Sequence, residues 1–235
     1  MAGDRIYSRN ESYINDICLR KLLAMLDPEA FDLISDFSMT AYGLVFLMNE
    51  IVLNKRRNII EFGSGLSTVL MAAVIKKYKI PATIISIEND EAWFRKINEK
   101  IKQLDLSHIV QLVNAPLVAD KRLGNENRWY DATLLDNIVE KTGGFDMVLI
   151  DGPPAHSPSI ELSRYGAIPF LNKRLANNYT IFLDDANRSG ERKIIERWEK
   201  EYSHQFFTYH NHIATSRKGV YINSYPSLIL GGIDV

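Results

Sequence analysis

Asn58–Met71 reads NIIEFGSGLSTVLM, and the rest of the chain is organised around this stretch. Ile59, Ile60 and Phe62 give an apolar strand with an acid, Glu61, near its end. Gly63 and Gly65 stand where the chain must reverse and where a ligand can approach bare backbone. Ser64, Ser67 and Thr68 are helix-capping residue types, and the new helix presents unpaired N–H groups at its start. Val69, Leu70, Ala72, Ala73 and Val74 carry that helix onward. A strand, a Gly-x-Gly turn and a helix is how open α/β folds build a nucleotide crevice. The third glycine of the dinucleotide fingerprint is absent, so that narrower reading fails.

Downstream, apolar strands alternate with helix-period segments, the pattern of a parallel sheet. Thr83–Ile87, Ile109–Asn114, Phe145–Asp151 and Tyr179–Leu183 follow the first strand. The first helix ends near Lys79, with Pro81 as a stop. Glu91–Leu104 places Trp93, Phe94, Ile97 and Ile101 on one face. Asp131–Glu140 reads as a short helix, Glu161–Leu175 as largely helical with a break at Pro169, and Glu191–Glu201 as a charged amphipathic helix. Pro116–Thr142 is long for a connection, and Trp129 and Tyr130 make it more than a solvated loop. His204–His210 and Gly219–Tyr225 read as two final strands, with polar Asn211–Lys218 as their loop.

Residues 11–57 read as helices. Pro28 starts a turn after a break, and Ser38 or Thr40 caps a helix over Ala41–Leu53. The expected organisation is a helical extension over 1–57 and a main α/β domain over 58–235.

Composition narrows the function classes. The chain has 235 residues, 46% hydrophobic and 24% charged, as expected for an ordinary globular protein. A net charge of −1 offers no general basic surface, so no nucleic-acid partner is expected. The lone Cys18 lies in an apolar helical run and reads as a buried thiol, which suits a reducing compartment. No targeting segment stands out, and the apolar stretch Ala41–Leu53 is too short to span a bilayer. A cytoplasmic enzyme with no membrane partner is the expectation.

The pattern E-F-G-S-G-x-S-T resembles motif I of class I S-adenosylmethionine (SAM)-dependent methyltransferases. The resemblance covers about residues 58–225 and implies an α/β, Rossmann-like, doubly wound sheet. That sheet is mostly parallel and seven-stranded, with a C-terminal antiparallel hairpin and N-terminal helices. It also implies that Glu61, Gly63, Ser64, Gly65, Ser67 and Thr68 form the cofactor loop. The N-terminal helices would form a lid or a homodimer surface; plain cover for the sheet edge is an equally open reading.

Four strand ends carry the candidate chemistry. Glu88 lies about 20 residues past the glycine loop, where an acid can accept both hydrogen bonds of a ribose diol. The bland alternative is a solvated strand-end carboxylate or helix cap. Asn114 ends the third strand; the resemblance places it beside the adenine, and a turn-closing role is equally open. Asp151, in I-D-G-P-P, lies where open α/β sheets bind ligands, and the resemblance has it face cofactor and acceptor. Asp184 and Asp185 are adjacent carboxylates at a strand end, which repel unless a cation is near. The cation is Arg188 or a divalent ion, since hard cations take oxygen ligands. The metal-dependent O-methyltransferases of the catechol and sugar types imply Mg²⁺ held by Asp151, Asp184 and Asp185. Two departures weigh against it: Ala186 stands where the Asp-Asn version needs Asn, and the DGPPAHSP context is unlike the sugar enzymes. His156 is a candidate base, because a histidine titrates near neutrality, with a solvent-exposed loop histidine as the bland alternative.

The expected activity is SAM-dependent methyl transfer to a small-molecule hydroxyl, sugar or polyol in kind, with Asp151, Asp185 and His156 as candidate catalytic groups. An inactive cofactor-binding module and an aminopropyl-type transferase are the alternatives.

Overall fold

In the computed structural model, residues 2–226 are described apart from 36, 121, 125, 141 and 211, with side chains from residue 12 onward. The chain begins with α1 (Ala2–Met25), a 3-10 turn (Pro28–Leu33) and α2 (Ala41–Leu53). It continues through β1 (Asn58–Phe62), α3 (Leu66–Tyr78), β2 (Thr83–Glu88), α4 (Glu91–Gln103) and β3 (Val110–Asn114). Next come β4 (Leu117–Ala119), β5 (Arg128–Tyr130), α5 (Ala132–Val139) and β6 (Phe145–Ile150). The last third holds a 3-10 turn (Ser163–Gly166), α6 (Ala167–Leu171), β7 (Leu175–Leu183), α7 (Ser189–Tyr202), β8 (Phe206–Tyr209) and β9 (Ile213–Lys218).

The main sheet runs β3-β2-β1-β6-β7-β9-β8. β9 is antiparallel to both neighbours, and the other six strands point one way. The chain winds outward from β1 to β3, then returns to place β6 on the other side of β1. That reversal opens a crevice at the carboxyl ends of β1 and β6.

The strand residues alternate between two apolar layers, as the pleat requires. Ile59, Met147, Leu149 and Phe182 face the layer that holds Phe46, Leu47, Leu70 and Ile97. Ile60, Val148, Ile150, Ile181 and Leu183 face the layer that holds Trp129, Leu135, Ile168, Ile194 and Trp198. Both faces are covered, so the central strands read as continuous apolar runs rather than alternating ones.

Thr40 caps α2, its hydroxyl accepting from the Gly43 amide at 3.1 Å. α2 is buried from Ala41 to Ile51 and shares one apolar cluster with β1, β6, β7 and β9, so it packs as part of the sheet's own core. Near the end of α2, buried Glu50 accepts from Arg56 Nε (2.9 Å), Thr180 Oγ1 (2.8 Å) and Arg217 Nη2 (3.3 Å), and from the Ser224 hydroxyl. The carboxylate thus joins α2, β7, β9 and the segment after β9.

Three expectations need correction. The last strand is Ile213–Lys218, not Gly219–Tyr225. Its Thr, Ser, Arg and Lys residues looked like loop, yet residues 213–216 are buried beside β7, and Arg217 is satisfied by Glu50. Gly219, at φ +91°, turns the chain out of the strand. The long connection contains the antiparallel ribbon β4–β5, whose Trp129 and Tyr130 pack on Phe62 with ring centroids 4.9 and 5.8 Å apart. The segment expected as helix over Glu161–Leu175 is only two short helical turns, and β7 already begins at Leu175.

Candidate active site

The glycine loop leaves β1 with Gly63 at φ +91°, a conformation glycine adopts without cost. Its hydrogen faces the turn after β6. A Cβ there would lie 2.8 Å from the Gly152 nitrogen. Gly65 needs no such freedom. Its φ is 173°, extended backbone open to any residue, and a Cβ there would meet nothing within 4 Å. Gly63 therefore serves close packing between two strand ends, and Gly65 faces open space.

Beneath this loop Glu61 is wholly buried. Its carboxylate accepts from Ser67 Oγ (2.5 Å), Thr68 Oγ1 (2.5 Å) and Ser86 Oγ (2.6 Å). Thr68 Oγ1 also accepts from the Gly65 amide at 3.0 Å, closing the first turn of α3. Burial pushes the Glu61 carboxyl up to about 7, with the three hydroxyl bonds opposing. Glu61, Ser67 and Thr68 therefore bind one another and hold the loop from below. None of Glu61's surface is exposed for a ligand.

Glu88 ends β2 and clamps the loop from the side. Oε2 accepts from the Ser64 amide (3.1 Å) and hydroxyl (2.9 Å), and Oε1 from the amides of Asn89 (2.7 Å) and Asp90 (2.8 Å). A carboxylate offers about four acceptor positions, and the chain's own donors fill all four here. Trp93 Nε1 donates to the Ser64 carbonyl at 2.8 Å, fixing the loop against α4. Asn114 is exposed at the neighbouring strand end, paired in register with Glu88.

Across the crevice, the ends of β6 and β7 bring Asp151, Asp184 and Asp185 together. Each can place one carboxylate oxygen within 4.8 Å of the others. The Asp151 and Gly152 amides donate to the Phe62 carbonyl at 2.9 and 2.6 Å, which ties this turn to β1. The Gly152–Pro153 bond is cis. Asp185 lies at φ +58°, a left-handed position that aspartate tolerates better than most residues. Burial and the neighbouring acids raise the Asp184 carboxyl well above its usual range. Burial raises Asp151 too, with the Arg164 charge opposing.

The sequence reading missed the central cation of this cluster. Arg164, from the 3-10 turn before α6, has a side chain only 4% exposed. Nη2 lies 3.3 Å from Asp151 Oδ1, and Nη1 lies 3.1 Å from Asp185 Oδ2 and 3.5 Å from Glu191 Oε1. The same guanidinium donates to the carbonyls of Asp151, Pro153 (3.3 Å) and Asp184 (3.2 Å). Arg188, the expected partner, pairs with Asp185 at 2.8 Å from a more exposed position. Buried Glu191, in the first turn of α7, is a fourth carboxylate the sequence did not mark. No local pattern announces Arg164, because only the return of the chain from α5 through β6 brings it to the rim. His156 is exposed on the loop after β6.

Three aspartates form a donor set of the oxygen type that hard cations prefer. Two of the three are already engaged by the Arg164 guanidinium, and a cation among them would meet a fixed positive charge. The residues therefore do not fit a resident Mg²⁺ in this arrangement.

The seven-stranded sheet and its flanking helices share their fold with solved methyltransferase structures. Among solved structures, the O-methyltransferase of Bacillus cereus in complex with S-adenosylhomocysteine (SAH) superposes with a TM-score of 0.59 at 15% identity, covering 88% of this chain and 91% of that one. SAH-bound PaMTH1, a methyltransferase of Podospora anserina, gives 0.59 at 14% identity, covering 93% and 96%. The O-methyltransferase TomG of Streptomyces achromogenes, in complex with SAM, gives 0.56 at 12% identity, covering 79% and 84%. No protein-family model and no curated protein matches the sequence. Among the described residues, no helix is long and apolar enough to cross a membrane.

Proposed function

We propose that this protein is a SAM-dependent methyltransferase whose acceptor is a hydroxyl oxygen of a small molecule, sugar or polyol in kind. The observation that carries the reading is the meeting of Gly63 with Gly152, which sets the acidic rim directly against the cofactor loop. The loop of Gly63, Ser64 and Gly65 would take the methionine part of the cofactor. Glu88 would take the ribose, with the Ser64 hydroxyl giving way, and Asn114 would lie beside the base.

Transfer is an in-line displacement. The acceptor oxygen forms a bond to the methyl carbon as the carbon–sulfur bond breaks, and SAH leaves. The hydroxyl proton passes to a carboxylate, Asp151 or Asp185. Burial raises Asp151 towards the working range of a general base, which supports that role. Most of the catalysis then comes from holding acceptor and donor in line. His156 remains a second candidate base from the loop.

The N-terminal segment leaves Leu19, Leu23, Phe31, Ile34 and Phe37 exposed, which supports its use as a lid or homodimer surface. Sedimentation with and without SAM separates those two. The deciding experiment incubates the protein with SAM and a panel of hydroxyl acceptors and measures SAH. Methyl transfer to an amine in preference to any hydroxyl would refute the acceptor class. Failure to bind SAM in calorimetry would refute the whole reading.

A further inference from the structure

We infer that the Arg164 guanidinium occupies the position a divalent cation would take between the strand-end carboxylates, so that Arg164 is the positioning residue of the acidic rim and the site is closed to Mg²⁺-type ions. Its three nitrogens reach two of the three clustered aspartates, Glu191 and three backbone carbonyls. A guanidinium has five N–H donors in a rigid plane, and this environment uses all three of its nitrogens.

The charge is built in rather than borrowed from the surface. The Arg164 side chain is 4% exposed, so its cost of desolvation is met by the acids around it. Its turn is fixed from two sides. A Cβ at Gly166 would lie 2.4 Å from the Trp129 ring, and Trp198 Nε1 donates to the Tyr165 carbonyl at 3.0 Å. Swinging the guanidinium out would leave Asp151, Asp185 and Glu191 facing one another, with Arg188 paired to Asp185 alone among the three in the described residues.

The carbonyl contacts matter as much as the charged ones. By donating to the backbone of Asp151, Pro153 and Asp184, Arg164 fixes the strand-end turns that aim the acids. A free metal ion could neutralise the carboxylates, but those carbonyls would lose their donors. Arg164 thus sets both the charge and the geometry of the groups proposed to receive the acceptor's proton.

The inference takes this rim as the reaction site and in that sense rests on the methyltransferase reading, but its test requires no acceptor. Mn²⁺ is titrated into wild-type, Arg164→Met and Arg164→Lys protein, with free Mn²⁺ followed by electron paramagnetic resonance. SAM affinity is measured in the same samples by calorimetry. Wild type and Arg164→Lys should show no saturable Mn²⁺ binding, and EDTA should leave the wild-type Tm unchanged. Arg164→Met should gain a saturable Mn²⁺ site, at least ~10-fold tighter than any residual wild-type binding, because removing one partner leaves buried acids uncompensated.

Saturable Mn²⁺ binding in wild type that disappears in Asp185→Asn would overturn the inference. So would an Arg164→Met protein that folds and stays blind to Mn²⁺. If Arg164→Met does not fold, the wild-type and Arg164→Lys titrations decide alone. Loss of SAM binding in every sample sinks the methyltransferase reading instead, and the Mn²⁺ result stands apart from it.

Discussion

Replacing Gly63 by alanine puts a Cβ 2.8 Å from the Gly152 nitrogen and 3.1 Å from both the Asp151 carbonyl carbon and the Gly152 Cα. All three atoms are backbone, so none can swing aside. The substitution also forces a side chain onto φ +91°. The left-handed conformation costs about 1–2 kcal/mol and forced overpacking about 1–3 kcal/mol. Their sum, roughly 2–5 kcal/mol, lowers Tm by about 4–20 °C for a chain of this length. Gly65→Ala should behave differently, because its backbone is extended and its Cβ meets nothing within 4 Å. Its Tm should stay within about 2–4 °C of wild type, a change of ~1 kcal/mol or less. Its affinity for SAM should fall by ~10-fold or more, since the new methyl would fill open space beside the loop proposed to hold the cofactor. Differential scanning calorimetry reads the first quantity and isothermal titration the second. Equal Tm losses in the two variants, or undiminished SAM affinity in Gly65→Ala, would refute the division of roles between the two glycines.

Glu88→Ala should weaken SAM binding by about 1.5–3 kcal/mol, the scale of hydrogen bonds to a charged group; unchanged affinity by calorimetry sinks the ribose assignment. Burial pushes the Glu61 carboxyl up to about 7 from an ordinary 4.5, so the folded state holds the proton more tightly. Its stabilising contribution is therefore complete below about pH 4.5 and is lost as pH rises through 7, a swing of about 3 kcal/mol. Glu61→Gln should flatten that part of the urea-midpoint profile between about pH 4.5 and 7, and an undiminished slope in the variant would place the titration elsewhere. Glu50→Ala should cost about 3–5 kcal/mol in chemical denaturation, because it leaves buried Arg56 and Arg217 without their carboxylate; a loss under 1 kcal/mol would mean those groups find other partners.

The parts of the fold legible in the sequence are those where a local pattern and a tertiary role agree. Asn58–Phe62 and the α3 start carried apolar residues, glycines and hydroxyls in one run. Ala41–Leu53 was bounded by a capping threonine. β9 was hidden because two of its four buried positions are Thr215 and Ser216, whose polarity reads as loop until β7 and β8 flank them. β4 and β5 are three residues each, too short for any periodicity to register. The three aspartates could be marked because each ends an apolar strand. Arg164 and Glu191 could not, since each sits in a helical turn with nothing nearby in sequence to distinguish it from a surface charge.

The Phe62 carbonyl, which accepts from both Asp151 and Gly152, ties the end of β1 to the turn after β6 through one backbone oxygen, so on the proposed reading the cofactor and acceptor sites would share that atom. If cofactor entry stiffens the glycine loop, the turn carrying the acid is stiffened through the same atom. Such coupling is reciprocal by thermodynamic necessity, so the acceptor must tighten cofactor binding by the factor with which cofactor tightens acceptor binding. A preferred order of addition would then reflect which ligand reaches the cleft first, while the ternary complex would be equally stable by either route.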